Sequence, residues 1–343
     1  MRCRSALLAS AIAGFAVTAA AGGRYLAGEP GSWSKWNFRT YEFSTKLASR
    51  DEANALGEQL RSLDEILRRT PPADQPVGYR CESWGTGATH MNDVPGRPKL
   101  AEMPLWGGVT FGAFALFEYE RNGQWIRDKG GETELMTFTV NNLQPRLLSH
   151  DQIPDDWRDL NTDAFLIPEQ TGTVGSFPRY GDYIVIKKKP DPLWLPLSMD
   201  TALRLSAESA RKSLRAAEES KYSTTENRRQ LADVANRLDA RIAALSAADR
   251  TAAACWIRDY QMPIEDRIQK VGSARCIPVG IPNWKFFDLR LPRSAPQVVL
   301  VTSIGRCYEP ARLGKPDEVA GGCSVNRAIL EAIDRQALMN WLR

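Results

Sequence analysis

Histidine is scarce in this chain, which has only His90 and His150 among its 343 residues. A Ser-His-Asp hydrolase would have to use one of them, yet the G-x-S-x-G motif that presents a nucleophilic serine is missing. The P-loop, the G-x-G-x-x-G fingerprint and the D-x-D-x-D-G calcium loop are missing as well. The common signatures of hydrolases, nucleotide-binding proteins and EF-hand proteins are therefore absent, and we expect neither a cofactor nor a metal.

An excess of charge of one sign is also missing. The formal net charge is +4, and removal of Arg2 and Arg4 with an N-terminal signal would lower it to +2. This balance argues against nucleic acid or an anionic membrane surface as the partner. Beyond residue 21 no apolar run approaches the roughly 20 residues of a transmembrane helix, so we expect no membrane span in the mature chain.

The N-terminus has the composition of a secretory signal peptide. Arg2 and Arg4 precede an apolar run from Ala6 to Ala21 that ends in three alanines, an A-x-A cleavage site. The alternative is a membrane anchor, for which the run is barely long enough. Cys3 precedes the apolar run and is therefore not a lipoprotein cysteine. We expect cleavage after Ala21 and export to the periplasm or the medium.

We expect disulfide bonds in an exported chain, because disulfides persist outside the cytoplasm. Five cysteines follow the signal, and none has C-x-x-C or Cys/His zinc spacing. Connectivity is not fixed by sequence, but nearest spacing favours Cys255–Cys276 and Cys307–Cys323. Cys81 is then left over.

The stretch from Leu197 to Trp256 predicts two amphipathic helices. Their apolar residues recur at i, i+3, i+4 and i+7, and Gly and Pro are nearly absent. Ser223 and Glu226 have the spacing of a capping box that would open the second helix. We therefore predict an antiparallel helical hairpin over residues 193–258, with its direction reversed near Tyr222.

The flanking segments predict mixed structure. In residues 22–192, a capping box at Ser49 and Glu52 opens a helix, and Asn122-Gly123 predicts a β-hairpin turn among aromatic, strand-like runs. Residues 259–343 contain a buried-type strand at 297–301 and a terminal helix at 328–342. The predicted class is α+β: an N-terminal helix packed on an antiparallel sheet, a helical hairpin insertion, and a small disulfide-stabilised C-terminal α/β unit.

Three groups of residues could carry chemistry, each with a plainer structural interpretation. Cys81 and His90 could form a nucleophile and its base, or be a buried cysteine beside a surface histidine. The acids around Trp157 could bind calcium but fit a solvated helix start better; they are Asp155, Asp156, Asp159 and Asp163. Lys187, Lys188 and Lys189 could contact phosphate but more often protect a sheet edge.

Two functions from different classes remain open. The first is a non-enzymatic binding or scaffold protein of the bacterial envelope, with a protein, peptide or glycan as ligand; the charged outer faces of the predicted hairpin and the missing catalytic templates favour it. The ten tryptophans are compatible with ligand platforms but fit ordinary packing better. The alternative is a secreted hydrolase that uses a Cys81–His90 pair.

Overall fold

The computed structural model describes residues 24–42, 48–88, 98–130, 133–144, 153–302, 307 and 323–343. The predicted signal peptide, residues 1–21, lies outside the described residues, as do His90 and His150. No helix among the described segments is long and apolar enough to span a bilayer.

The elements are as follows, in chain order. The strands are β1 (Arg24–Tyr25), β2 (Ser32–Trp33), β3 (Phe38–Glu42), β4 (Tyr79–Ala88), β5 (Trp106–Arg121), β6 (Gln124–Lys129), β7 (Leu135–Val140), β8 (Phe165–Leu166), β9 (Gln170–Val174), β10 (Phe177–Tyr180), β11 (Tyr183–Lys187), β12 (Trp194–Pro196), β13 (Ala254–Ile257), β14 (Ile268–Lys270), β15 (Cys276–Pro282) and β16 (Val298–Thr302). The helices are α1 (Arg50–Arg68), α2 (Met199–Glu219), α3 (Thr225–Ala244), α4 (Ala247–Thr251), α5 (Ile264–Arg267), α6 (Cys323–Ala332) and α7 (Arg335–Trp341).

A large mixed sheet forms the first part of this α+β fold. Its strand order is β2-β4-β5-β7-β16-β11-β10-β9, with β1 and β6 beside β5 and β3 beside β4. The pairs are antiparallel except that β2 and β3 run parallel to β4. The predicted Asn122-Gly123 turn joins β5 to β6, and both residues have positive φ, 54° and 76°, as this turn type requires.

The position of β16 differs from the expectation of a separate C-terminal unit. All five of its residues are buried, and it lies between β7 and β11 in the large sheet. A strand buried on both faces is stabilised most in the interior of a sheet. The chain after residue 258 therefore contributes strands to both sheets, since β16 belongs to the large sheet and β14 and β15 belong to a second sheet.

Helices cover one face of the large sheet. α1 begins at the predicted capping box, where Ser49 and Glu52 cap each other. Its leucines at 56, 60, 63 and 67 pack with Phe111 and Phe138 of the sheet and with residues of α6 and α7. The predicted terminal helix is divided in two, because Asp334 caps a new helix by accepting a hydrogen bond from the Ala337 N–H at 2.9 Å.

The second sheet has the order β12-β15-β13-β14, with β8 beside β15. The helical hairpin α2–α3 shares a core with it, which includes Leu203, Leu238, Trp157 and Trp256. The two helices face each other, as the leucine spacing predicts, and Arg211 forms an ion pair with Asp239 across them.

The start of α3 corrects one detail of the prediction. Thr224, not Ser223, is the N-cap residue, and its hydroxyl accepts from the Asn227 N–H at 3.1 Å. The capping box with Glu226 does not form, because the third helical residue after Thr224 is Asn227. Ser223 instead accepts from the Asn227 side-chain amide at 3.2 Å.

Two disulfides are present. Cys255 pairs with Cys276 and Cys307 with Cys323, at Cα–Cα distances of 5.4 and 5.1 Å. These are the pairings that nearest spacing favours. The first joins β13 to β15, and the second lies in the core of the large sheet. Both fit a protein that resides outside the cytoplasm.

Candidate functional site

Cys81 lies in the middle of β4, opposite Ala113 of β5, and its side chain is fully buried. It is the free cysteine among the described residues. Burial raises the pKa of its thiol to about 12, although the Arg68 charge acts in the opposite direction. A thiol in this state is protonated at neutral pH, whereas nucleophilic cysteines have a lowered pKa.

The pairing of Cys81 with His90 stays a prediction, because His90 lies outside the described residues. The groups near Cys81 form a structural network. Arg68 donates to the Asp64 carboxylate at 2.6 Å and to the Ser83 hydroxyl at 3.0 Å. Its guanidinium also lies 4.2 Å from the centre of the Trp33 ring. These contacts join α1 to β4 and β2 beneath the sheet.

The acidic residues around Trp157 make separate hydrogen bonds rather than one common site. Asp163 is buried and accepts hydrogen bonds from the side chains of Gln144 and Trp284. Asp155 accepts from the Tyr260 hydroxyl. No cluster of three or more potential metal ligands occurs within the described part of the chain.

The three consecutive lysines bind backbone carbonyl groups. Lys187 donates to Pro190 O at 3.0 Å, Lys188 to Leu342 O at 2.6 Å, and Lys189 to Phe286 O at 2.7 Å. Desolvation lowers the pKa of Lys187. Their ammonium groups therefore fasten β11 to the C-terminus and to the loop before β16, which is a structural role that their charge alone does not indicate.

A groove of about 430 Å³ lies along one side of the helical hairpin, and we call it the hairpin groove. α2 contributes Ser209, Ala210 and Ser213, and α3 contributes Leu231, Val234 and Arg237. The third wall comes from the loop of residues 258–267, which joins β13 to β14 and which we call the strap. Met262, Pro263 and Ile264 of the strap line the groove.

Small residues on α2 explain why the groove is open. Ser209 and Ser213 project little beyond the helix backbone, so the apolar side chains of Leu231 and Val234 are only partly covered. The one-turn helix α5 fills only part of the space beside the two long helices. The floor of the groove is consequently apolar and accessible.

Ion pairs hold the strap against its neighbours. Glu265 pairs with Arg237 of α3, and Asp266 lies 3.6 Å from the Arg241 guanidinium. On the other side, Arg267 lies 3.5 Å from Asp156. The side chains of Glu265, Arg267 and Asp156 are largely buried, whereas those of Arg237 and Asp266 are about half exposed. Asp156, Arg237 and Arg267 give the groove charged margins around its apolar floor.

Three of these groups have a buried side-chain atom without a hydrogen-bond partner: Asp156 Oδ2, Glu265 Oε2 and Arg241 Nη1. The Oδ2 atom of Asp156 lies within ion-pair distance of Arg267. A contact of 3.5 Å without hydrogen-bond alignment is a weak compensation for lost hydration. Burial accordingly raises the pKa of Asp156; the Arg267 charge lowers it and the Asp155 charge raises it further.

No protein-family model, curated protein or solved structure matches this chain. Within the described residues, the hairpin groove combines an apolar floor with arginine–carboxylate margins, and it contains neither a cysteine nor a histidine. Such a lining can hold a ligand in position.

The groove could not be recognised from the sequence. The charged outer faces of the hairpin were expected, and Arg237 is half exposed on such a face, but it also lines the groove and pairs with Glu265. The sequence feature that could have indicated this contact is the charged run Glu265-Asp266-Arg267 after Pro263, in which Glu265 and Asp266 are opposite in charge to the arginines of α3. Nothing in the spacing, however, shows that this loop returns to the hairpin.

Proposed function

We propose that this protein is a non-enzymatic binding or scaffold protein of the bacterial envelope. It is exported by a signal peptide cleaved after Ala21, and it binds a protein, peptide or glycan ligand through the hairpin groove. The single observation that carries this proposal is the groove itself, an apolar, accessible floor with charged margins. Binding sites commonly combine apolar walls with a few polar groups that orient the ligand.

The proposed location has its own test. Intact-mass analysis of the protein from the envelope and the medium should give a chain that begins at Gly22. Detection of a chain that retains Met1, or of the protein only in the cytoplasm, would contradict export. The fraction that contains the cleaved chain distinguishes the periplasm from the medium.

The binding function is tested by capture from an envelope fraction with the mature protein as bait. Val234→Asp places a carboxylate on the apolar floor, whereas Ala240→Asp places the same group on an exposed position of the same helix. We expect a specific partner to be retained by the wild type and by Ala240→Asp and to be lost with Val234→Asp.

Thermal melts of both variants show whether they keep the fold. Capture that is equal for the two variants would place binding elsewhere on the molecule. If the wild type retains nothing beyond the empty resin, the binding function itself is contradicted. The alternative, a hydrolase based on Cys81 and His90, receives no support from the burial of the Cys81 thiol.

A further inference from the structure

The strap is built as a loop that can move without disturbing the sheet. Its two ends are adjacent, because Trp256 of β13 pairs with Ile268 of β14. The disulfide Cys255–Cys276 fixes β13, the strand from which the strap leaves, to β15. Displacement of residues 258–267 therefore breaks no strand pairing.

The strap also forms a unit within itself. Arg267 donates from Nε to Met262 O at 2.9 Å and from Nη2 to Tyr260 O at 3.0 Å, which ties the end of the loop to its middle. The Asp266 N–H donates to Pro263 O at 2.9 Å. Contacts with the hairpin and with the Asp155–Trp157 turn are instead made by side chains: ion pairs, the hydrogen bond from the Tyr260 hydroxyl to Asp155, and the packing of Ile264 against the hairpin core.

We propose that the strap is a pH-responsive wall of the hairpin groove, which lies more tightly against α2, α3 and the Asp155–Trp157 turn in acid than at neutral pH. The regulatory use of this wall rests on the proposed binding function, whereas its movement does not depend on any ligand. The controlling group is the Asp156 carboxyl.

The charges that face Asp156 come from several elements. Arg267 of the strap lies 3.5 Å away, and Arg237 of α3 lines the same groove. Asp155 is its like-charged neighbour in the turn. α2 contributes the uncharged Ser209 and Ser213 to the groove, and its Lys212 ammonium donates to the Asp159 carbonyl beside the turn.

The direction of the pH effect follows from linkage. Because burial raises the pKa of Asp156 while the strap lies against the turn, that state binds the proton more strongly than a state in which water reaches the carboxyl. Acidification through this pKa therefore stabilises the state in which the strap is in contact. At neutral pH the ionised carboxylate has a buried oxygen without a donor, and this penalty is relieved when the strap moves away.

Hydrogen–deuterium exchange of the mature protein tests this without any ligand. Exchange of peptides from residues 258–267 is compared at pH 5.0 and 7.5 after correction for the intrinsic pH dependence. We expect protection to be higher at pH 5.0 by about threefold or more, while peptides of α2 and α3 change little. Equal protection at the two pH values, or higher protection at pH 7.5, would overturn the proposal.

Asp156→Asn assigns the effect to one group, since the amide is neutral at every pH. In this variant the strap should be protected at both pH values, and the ratio should fall to about 1. Asp159→Asn is the matched control, because Asp159 is exposed in the next turn, and it should keep the wild-type ratio. Retention of that ratio by Asp156→Asn would contradict the assignment. Should Asp156→Asn not fold, the sign of the wild-type ratio still decides the proposal.

Discussion

The large sheet and the hairpin region bury their side chains in different ways. Beneath the sheet, α1 places whole leucines against Phe111 and Phe138, all with 0–1% exposure. Beside the hairpin, small residues of α2 leave a groove, and the ion pairs Arg237–Glu265 and Arg267–Asp156 help to hold its third wall. The first arrangement consists of apolar contacts, whereas the second depends in part on charged groups, whose contribution changes with pH and salt.

The largest expected effect concerns the buried Cys81 thiol, whose reactivity should differ between the folded and the unfolded chain. Because its pKa is raised from 9.0 to about 12, we expect iodoacetamide at pH 7.5 to react with folded Cys81 about a thousandfold more slowly than with the urea-unfolded chain. Mass spectrometry of timed samples measures both rates. Rates within tenfold of each other would show an accessible thiol and would favour the hydrolase hypothesis.

In the large core, Leu60→Ala should cost about 3 kcal/mol or more. Leu60 is fully buried, and rigid neighbours leave a cavity after truncation. Urea unfolding measures the loss. Arg61→Ala is the adjacent control; its 3.7 Å pair with Glu65 is exposed, so its effect should stay below about 0.5 kcal/mol.

A leucine-to-alanine substitution in the hairpin gives the matching measurement for the second region. Leu238 is also fully buried, but half-buried Leu231 and Val234 can move into the space that it leaves. We expect Leu238→Ala to cost about 2 kcal/mol, the lower end for a buried leucine. If urea unfolding gave a larger loss than for Leu60→Ala, the two regions would not differ as proposed.

Arg237→Ala should cost about 1 kcal/mol, because the Glu265 carboxylate, whose side chain is only 13% exposed, would lose its partner. Arg211→Ala removes a similar contact on the other side of the hairpin, where both partners are nearly half exposed, and should cost less than about 0.5 kcal/mol. Thermal melts of the two variants compare them. Equal losses would show that the strap is not fastened through Glu265.

Local features of this fold could be predicted from the sequence. The capping box at Ser49, the Asn122-Gly123 turn and the two helices of the hairpin depend on neighbours within a few residues. The N-cap of α3 was misplaced by one residue because Ser223 and Thr224 are both good caps, and only the observed geometry selects Thr224.

Long-range pairing could not be predicted in the same way. The apolar run of β16 predicts a buried strand. The neighbouring sequence, however, does not indicate that its partners are β7 and β11, which lie more than a hundred residues earlier. The candidate site depends on contacts of the same kind, since Arg237 meets Glu265 across 28 residues. Charge spacing on one helix does not show which loop will return to it.

The central position of β16 also has a consequence for how the chain is made. Ribosomes deliver Val298–Thr302 after every other strand of the large sheet, so β7 and β11 keep open edges until synthesis is almost complete. Until β16 is made, the two halves of the large sheet lack the strand that joins them. If the chain is exported as proposed, late synthesis of that strand would delay closure of the sheet, so that folding would be completed after the precursor has crossed the membrane.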